Sequence, residues 1–305
     1  MSQESSFRSG FVTLVGRPNV GKSTLLNALL KQKVAAVSPR PQTTRRRQLG
    51  ILTLPQAQMV LMDTPGMHSP RHKLGEFMNA EAADTLGDAD AIVWLVDASQ
   101  PPTPEDEAIA ARIAALSQPP PVFLTLNKVD TCSAADVELR RAQFAALLPG
   151  ARLFLISAAH GQGRDALLQA LVETLPEGPP YYDPDQITDL YERDIAADLV
   201  REAALVLLRE EVPHGIAVRI DEYTERSENN AYIAATLFVE RDSHKGIVIG
   251  KGGDMLKQIG SLARQKIEEM SDRKIFLELR VKVDKNWRDN PDALRGFGYS
   301  TEKDS

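Results

Sequence analysis

The run Gly16, Arg17, Pro18, Asn19, Val20, Gly21, Lys22, Ser23 and Thr24 satisfies the spacing G-x-x-x-x-G-K-[ST]. The chemistry it suits is a grip on polyphosphate. Its glycines let the chain wrap so that backbone N–H groups face phosphate oxygens, and a helix beginning near Gly21 adds its positive end. Lys22 is placed to reach the β- and γ-phosphates, and the Ser23 hydroxyl is suited to Mg²⁺. Further on, Asp63, Thr64, Pro65 and Gly66 follow an apolar run. A carboxylate there holds Mg²⁺ through water, and the Gly66 N–H approaches a γ-phosphate. Alone, this string is also a good β-turn; its place after a phosphate loop favours the phosphate reading. Between the two motifs, residues 38–47 are basic and hold two prolines, as expected of a loop that a γ-phosphate and Mg²⁺ would order. A threonine in it supplies a further metal ligand, Thr44 in preference to Thr43. The expected metal set is therefore Ser23, Thr44 and Asp63, and the expected catalytic set Lys22, Thr44 and Gly66.

A third motif reads a base. In Asn127, Lys128, Val129 and Asp130, the aspartate carboxylate can accept hydrogen bonds from guanine N1–H and its exocyclic amine, a donor pair that adenine lacks. A site built around those donors rejects nucleotides without them by orders of magnitude. Asn127 is suited to N7 and to tying this loop to the phosphate loop, and the Lys128 stem to covering the base. Ser157, Ala158 and Ala159 offer a backbone N–H to guanine O6. The expected ligands are GTP and GDP with Mg²⁺. Asn19 either helps to hold K⁺ or simply adopts a tight turn. Met67, next after Gly66, occupies the place where Ras-like GTPases carry a water-orienting glutamine. It cannot perform that task, so slow intrinsic turnover is expected. His68, His72 and His160 have no metal-ligand spacing. Arg45, Arg46 and Arg47 are expected to contact RNA or remain solvated.

Each motif directly follows a short apolar run: Phe11–Val15, Met59–Met62, Val122–Leu126 and Leu153–Ile156, with a further run at Ala91–Val96. Helix-like segments alternate with them, which predicts a mostly parallel sheet covered on both faces, with ligands at the carboxyl ends of its strands. The 305 residues fit two domains, and 43% hydrophobic with 26% charged residues is globular composition. The one cysteine, Cys132, excludes an internal disulfide, in keeping with a reducing cytosol. Ala91–Val96, the longest apolar run of the first half, is far too short for a bilayer, and the N-terminus lacks a signal-peptide pattern. The Pro-rich stretch after Leu175 marks a linker. The expected organisation is an α/β P-loop GTPase domain over 8–178, a linker over 179–186, and a second domain over 187–303. That second domain should open with a long helix over 187–210.

Together with Gln42-Thr-Thr-Arg45 and Ile187-Thr-Asp189, these motifs resemble the Era family of bacterial GTPases over nearly the whole chain. The resemblance implies that the second half is an α+β KH domain of prokaryotic topology. It also implies a partner, small-subunit (16S) ribosomal RNA near its 3′ end, with a part in assembling the small ribosomal subunit. A cytoplasmic location with peripheral membrane association follows from the same resemblance, and a monomer is expected. The residues support RNA contact independently. Gly250, Lys251, Gly252 and Gly253 form the G-x-x-G with which KH folds clamp a nucleic-acid backbone. Lys245, Lys251 and Lys257, with Arg264 and Lys266, surround it, and Ile247 and Ile249 suit a shallow groove for unstacked bases. The net charge of -6 hides this patch: residues 244–288 hold eleven Lys/Arg against six Asp/Glu. An alternative is a nucleotide-gated RNA-binding module in which hydrolysis acts only as a timer.

Overall fold

The computed structural model describes residues 7–38, 40–67, 70 and 72–299. His68 lies outside the described residues. The chain forms two compact units, one from residues up to 32, 44–69 and 78–189, the other from 33–43, 70–77 and 190 onward.

In chain order the first unit contains β1 (Arg8–Val15), α1 (Lys22–Leu30), β2 (Gln48–Leu54) and β3 (Ala57–Asp63). After α2 (Lys73–Gly87) come β4 (Ala91–Asp97), α3 (Pro104–Ala114), β5 (Val122–Asn127), α4 (Ala134–Leu147), β6 (Arg152–Leu155) and α5 (Arg164–Thr174). The sheet order is β2-β3-β1-β4-β5-β6. All neighbours are parallel except β2, which runs antiparallel to β3. β3 and β4 are buried at every position, which is why they read as continuous apolar runs rather than alternating ones. One core cluster holds Trp94 edge-on to Phe144, with Val15, Ile92, Val96 and Leu124 around them. Register sets Leu14 beside Asp63 and Asp97 beside Asn127. The chemical motifs thus emerge together at the carboxyl edge of the sheet, as expected. Neither β2 nor α2 was legible in the sequence. Gly50 lies inside β2 because Leu26 of α1 leaves no room for a Cβ, and α2 carries two glycines.

The second unit is built from α6 (Glu192–Leu207), β7 (Ala217–Ser227), β8 (Asn230–Val239), α7 (Asp242–Ile249), α8 (Asp254–Ser271), β9 (Lys274–Val283) and α9 (Pro291–Gly296). Its sheet order is β7-β8-β9, with β7 antiparallel and β9 parallel to β8. Leu199, Ala203, Ile233, Leu237, Ile259 and Ile267 form the centre of its core. The long helix expected over 187–210 is shorter at both ends. Ile187 gives its carbonyl to the Ile51 N–H (2.9 Å) and Asp189 its carboxylate to the Leu49 N–H (3.2 Å), both within the first unit. At the other end, Leu208 turns to extended backbone.

Two charged residues of α6 are buried, Arg201 at 2% and Glu202 at 1% exposure. Their partners explain the burial. Arg201 donates to the Gln42 carbonyl (3.1 Å) and the Thr43 carbonyl and pairs with Asp198. Glu202 accepts from Lys33 Nζ (3.1 Å), the Val37 N–H (3.1 Å) and Lys266 Nζ. Residues 33–43 are in this way fastened to α6 inside the second unit. At the C-terminal end, Trp287 donates to the Gly215 carbonyl (3.0 Å) and packs with Phe297 and Tyr299.

Candidate functional site

α1 starts at Lys22 on the end of β1, so the loop Gly16–Gly21 opens on a helix N-terminus. Lys22 is buried at 6% exposure and folds back over the loop, donating to the Gly16 carbonyl (2.9 Å) and the Arg17 carbonyl (3.2 Å). Burial brings its ammonium down to about 8, with Asp63 opposing and Arg17 adding to the shift. Arg17 is itself held outward by buried Asp106 (3.3 Å) and by Gln100 (3.1 Å). Asn19 has φ 65, the conformation a tight turn asks of asparagine.

Ser23, Thr44 and Asp63 meet. The Ser23 hydroxyl donates to Asp63 Oδ2 (2.6 Å) and lies 2.9 Å from Thr44 Oγ1, which is 3.4 Å from the same carboxylate oxygen. Thr43 turns elsewhere, to the Arg40 carbonyl (2.8 Å) and the Ser38 hydroxyl (2.9 Å). Burial raises the Asp63 carboxyl above its ordinary range, against the pull of Lys22, Ser23 and Thr44. Its second oxygen, Oδ1, is buried without a hydrogen-bond partner among the described residues. An orphaned carboxylate oxygen beside two hydroxyls is a hard-oxygen donor set, and it fits Mg²⁺ with its retained waters.

The turn after β3 is locked from below. Thr64 is fully buried and donates to the Leu14 carbonyl (2.8 Å), so its side chain braces β1 rather than facing a ligand. Gly66 passes so near the phosphate loop that a Cβ would stand 2.6 Å from the Pro18 nitrogen. Met67, at 6% exposure, packs into the core with Val15, Ala82 and Leu86. Arg45 is buried too, at 2% exposure, which corrects the expectation that it is solvated or contacts RNA; Arg47 alone of the three is exposed.

Asn127 ties three segments together. Its Nδ2 donates to the Val20 carbonyl (2.7 Å) of the phosphate loop, and its Oδ1 accepts the Ala158 N–H (2.8 Å). Asp130 is partly exposed and lies 3.2 Å from His160 Nδ1. The Ser157 hydroxyl, opposed by desolvation and aided by its own amide and His160, holds the Asp130 carboxyl below the ordinary range. It therefore presents an ionised acceptor. Val129 is a core residue. Lys128 sits at φ 66, and its Nζ reaches Asp97 Oδ2 at 2.7 Å. Burial works against ionisation of Asp97, but Lys128 and Ser99 outweigh it and keep its carboxyl below the ordinary range. Sequence reasoning missed Asp97 and His160 as members of this cluster. The signal for Asp97 was its place at the end of an apolar strand, like Asp63.

In the second unit, α7 and α8 are joined by the turn Gly250–Gly253, with φ 74 at Gly250 and 86 at Gly253. That left-handed backbone explains the glycines. Behind the turn lies a groove of about 460 Å³ between α8 and β9. Gly253, Lys257, Gly260 and Arg264 line one wall, Ile275 and Phe276 the other. Gly260, Ser261 and Phe276 were not singled out in the sequence, since no motif contains them. Ile247 is half exposed on α7, whereas Ile249 is partly buried and packs against the hydrophobic core. Lys245 is partly buried, and Lys251 and Lys257 are exposed. Lys266 is committed to buried Glu202, so it leaves the cationic cluster expected around the loop.

A family model described as "50S ribosome-binding GTPase" matches residues 11–128, and one described as "KH domain" matches residues 211–288. The chain is 45% identical over 292 residues to the GTPase Era of Heliobacterium modesticaldum, covering 96% of this chain and 97% of that protein. It is 44% identical over 298 residues to that of Ruminiclostridium cellulolyticum, covering 98% and 99%. Among solved structures, it matches Era in complex with MgGDPNP and nucleotides 1506–1542 of 16S ribosomal RNA, with a TM-score of 0.90 at 40% identity over 97% of this chain and all of that one. A variant of Aquifex aeolicus Era bound to GDP·AlF4⁻ matches with a TM-score of 0.91 and the same identity and coverage.

Proposed function

Because this chain belongs to the Era family of GTPases, it binds and hydrolyses GTP, and we propose that it binds small-subunit ribosomal RNA near the 3′ end and assists assembly of that subunit. The observation that carries the nucleotide part is the meeting of Ser23, Thr44 and Asp63, with Asp63 Oδ1 left unpaired. In this reading Ser23 and Thr44 ligate Mg²⁺ directly and Asp63 acts through water; the ion neutralises charge on the phosphates. Lys22 exchanges its loop carbonyls for phosphate oxygens, which is inexpensive because both sites lie in the same cradle. The Gly66 N–H faces the γ-phosphate, held there by its approach to Pro18 and by the Thr64 brace. Asp130 accepts from the guanine N1–H and amine, and the Ala159 N–H serves O6, since Asn127 occupies that of Ala158. Phosphoryl transfer to water then rests on positioning and charge stabilisation.

The second unit's groove supports the RNA part: a G-x-x-G turn, exposed Lys251 and Lys257, and an apolar floor suit single-stranded RNA. Hydrolysis as a timer remains a second reading, favoured by Met67, whose burial leaves no side chain at that place to orient water. We also keep a cytoplasmic location with peripheral membrane contact in the proposal, and co-sedimentation with anionic vesicles tests it. Among the described residues no helix is long and apolar enough to cross a membrane. The test of the RNA reading is affinity for an oligonucleotide copying the rRNA 3′ end, in GDP and in a GTP analogue. Selective binding lost on Gly253→Asp is expected, and non-selective binding that survives the substitution would overturn it.

A further inference from the structure

The groove does not end at its apolar wall. From Gly253, which caps α8, to Arg264 the wall spans eleven residue steps, about 16 Å at the helical rise. That matches the four or so nucleotides a KH groove clamps. Gly260, midway along α8, faces Leu279 of β9, so Phe276, three residues earlier on the strand, stands at the end remote from the G-x-x-G turn. Phe276 is 63% exposed, the most exposed large hydrophobic among the described residues of α8 and the sheet. Its ring stacks on Tyr232 of the neighbouring strand, with centroids 5.8 Å apart and planes 22° from parallel. Arg226 lies over the Tyr232 ring at 4.8 Å. The three planar groups form a continuous surface that turns from the groove onto the outer face of the sheet.

We propose that this Phe276–Tyr232–Arg226 platform is an additional RNA subsite, which stacks the unpaired base leaving the groove beyond Arg264. The occupant is a continuation of the same single strand, because the platform begins on a residue that already lines the groove. Stacking on aromatic rings and guanidinium planes is a sequence-tolerant way to hold such a base. Nearby charge is compatible with a phosphate backbone. Glu278 is engaged by Arg280 (2.7 Å) and the Tyr232 hydroxyl (2.9 Å), and Glu225 by Arg273 (2.9 Å); Glu222, exposed and acting on Tyr232, accepts from the Thr224 hydroxyl (2.9 Å), while Lys274 at the start of β9 is exposed.

The inference rests on the RNA reading above, and one experiment separates the two. The full chain is titrated with a core oligonucleotide copying the rRNA 3′ end, and with the core lengthened by two nucleotides at its 5′ or its 3′ end. 2-Aminopurine is placed at each added position. One extension should tighten binding about tenfold and quench the probe at one position. Tyr232→Leu and Arg226→Gln should lose that gain while binding the core as the unaltered protein does. If neither extension tightens binding, or the gain survives in both variants, the platform is refuted and the RNA reading stands. If the core itself fails to bind, both fall.

Discussion

Asn127→Ala offers a quantitative test of how the base-reading loop is built. The side chain is 3% exposed and makes two buried hydrogen bonds, to the Val20 carbonyl and from the Ala158 N–H. Alanine leaves both backbone groups buried and unpaired, each costing about 1–3 kcal/mol. A total near 3 kcal/mol is a conservative sum, and at about 2–4 °C per kcal/mol for a domain of this size the nucleotide-free melting temperature should drop by roughly 6–12 °C. GDP affinity should fall as well, because the phosphate loop and the Ser157–Ala159 turn lose their common tie. Asp130→Ala is the control. Asp130 is partly exposed, and its His160 contact lies at the surface, where such contacts contribute little to stability. It should lose GDP affinity with almost no change in melting temperature. Calorimetry of both variants without nucleotide decides the matter. If Asn127→Ala melts alongside the control, the loops are held by something other than this amide.

Three further outcomes follow from the same geometry. Asp130→Asn replaces an acceptor for the guanine donors with an amide, so GDP affinity should fall by at least about a hundredfold while xanthine nucleotides gain, measured by competition binding. Chelating Mg²⁺ should speed GDP release in the unaltered protein but change little in Ser23→Ala, where a hydroxyl of the metal set is already gone; equal acceleration in both would remove Ser23 from that set. Arg201→Ala strips the Gln42 and Thr43 carbonyls of a buried donor, a loss of about 2–4 kcal/mol, and residues 33–47 should be cut faster by trypsin, with unchanged cleavage the contrary result.

The phosphate and base motifs were legible because each is a contiguous string whose chemistry lies partly in backbone N–H groups, and because strand runs announced where each string would surface. Thr44 could be preferred but not secured from sequence: two adjacent threonines differ only in which way the loop turns, and here Thr43 is spent on Arg40 and Ser38. Pairings across long sequence separation were hidden. Asp97 meets Lys128, Arg17 meets Asp106, and Lys266 meets Glu202; nothing in a linear pattern assigns one charge to another 30 to 90 residues away. The same blindness misplaced Lys266 and Arg45 as solvent- or RNA-facing cations, when burial had already committed them. The KH groove shows the opposite limit. Its turn was readable through G-x-x-G, but its far wall consists of ordinary strand residues that acquire meaning only when β9 is set against α8.

Met67 shows how position and packing together constrain the hydrolytic step. A glutamine there in Ras-like enzymes orients the attacking water, which on chemistry alone makes Met67→Gln a gain-of-activity change. The structure argues otherwise. Met67 is directed into a cluster with Val15, Ala82 and Leu86, and the neighbouring Thr64 and Gly66 are fixed by Leu14 and Pro18. The side chain cannot swing outward without moving a turn that is locked on both sides. Glutamine would therefore bury an unpaired amide at about 1–3 kcal/mol, lowering the melting temperature while leaving kcat unimproved. Met67→Leu, which keeps the apolar contact, should behave like the unaltered protein in both measurements. A rise in kcat of about tenfold in Met67→Gln, some 1.4 kcal/mol off the barrier, would show that the turn can release this residue toward the γ-phosphate, and that water positioning is limited by side-chain chemistry rather than by the packing described here.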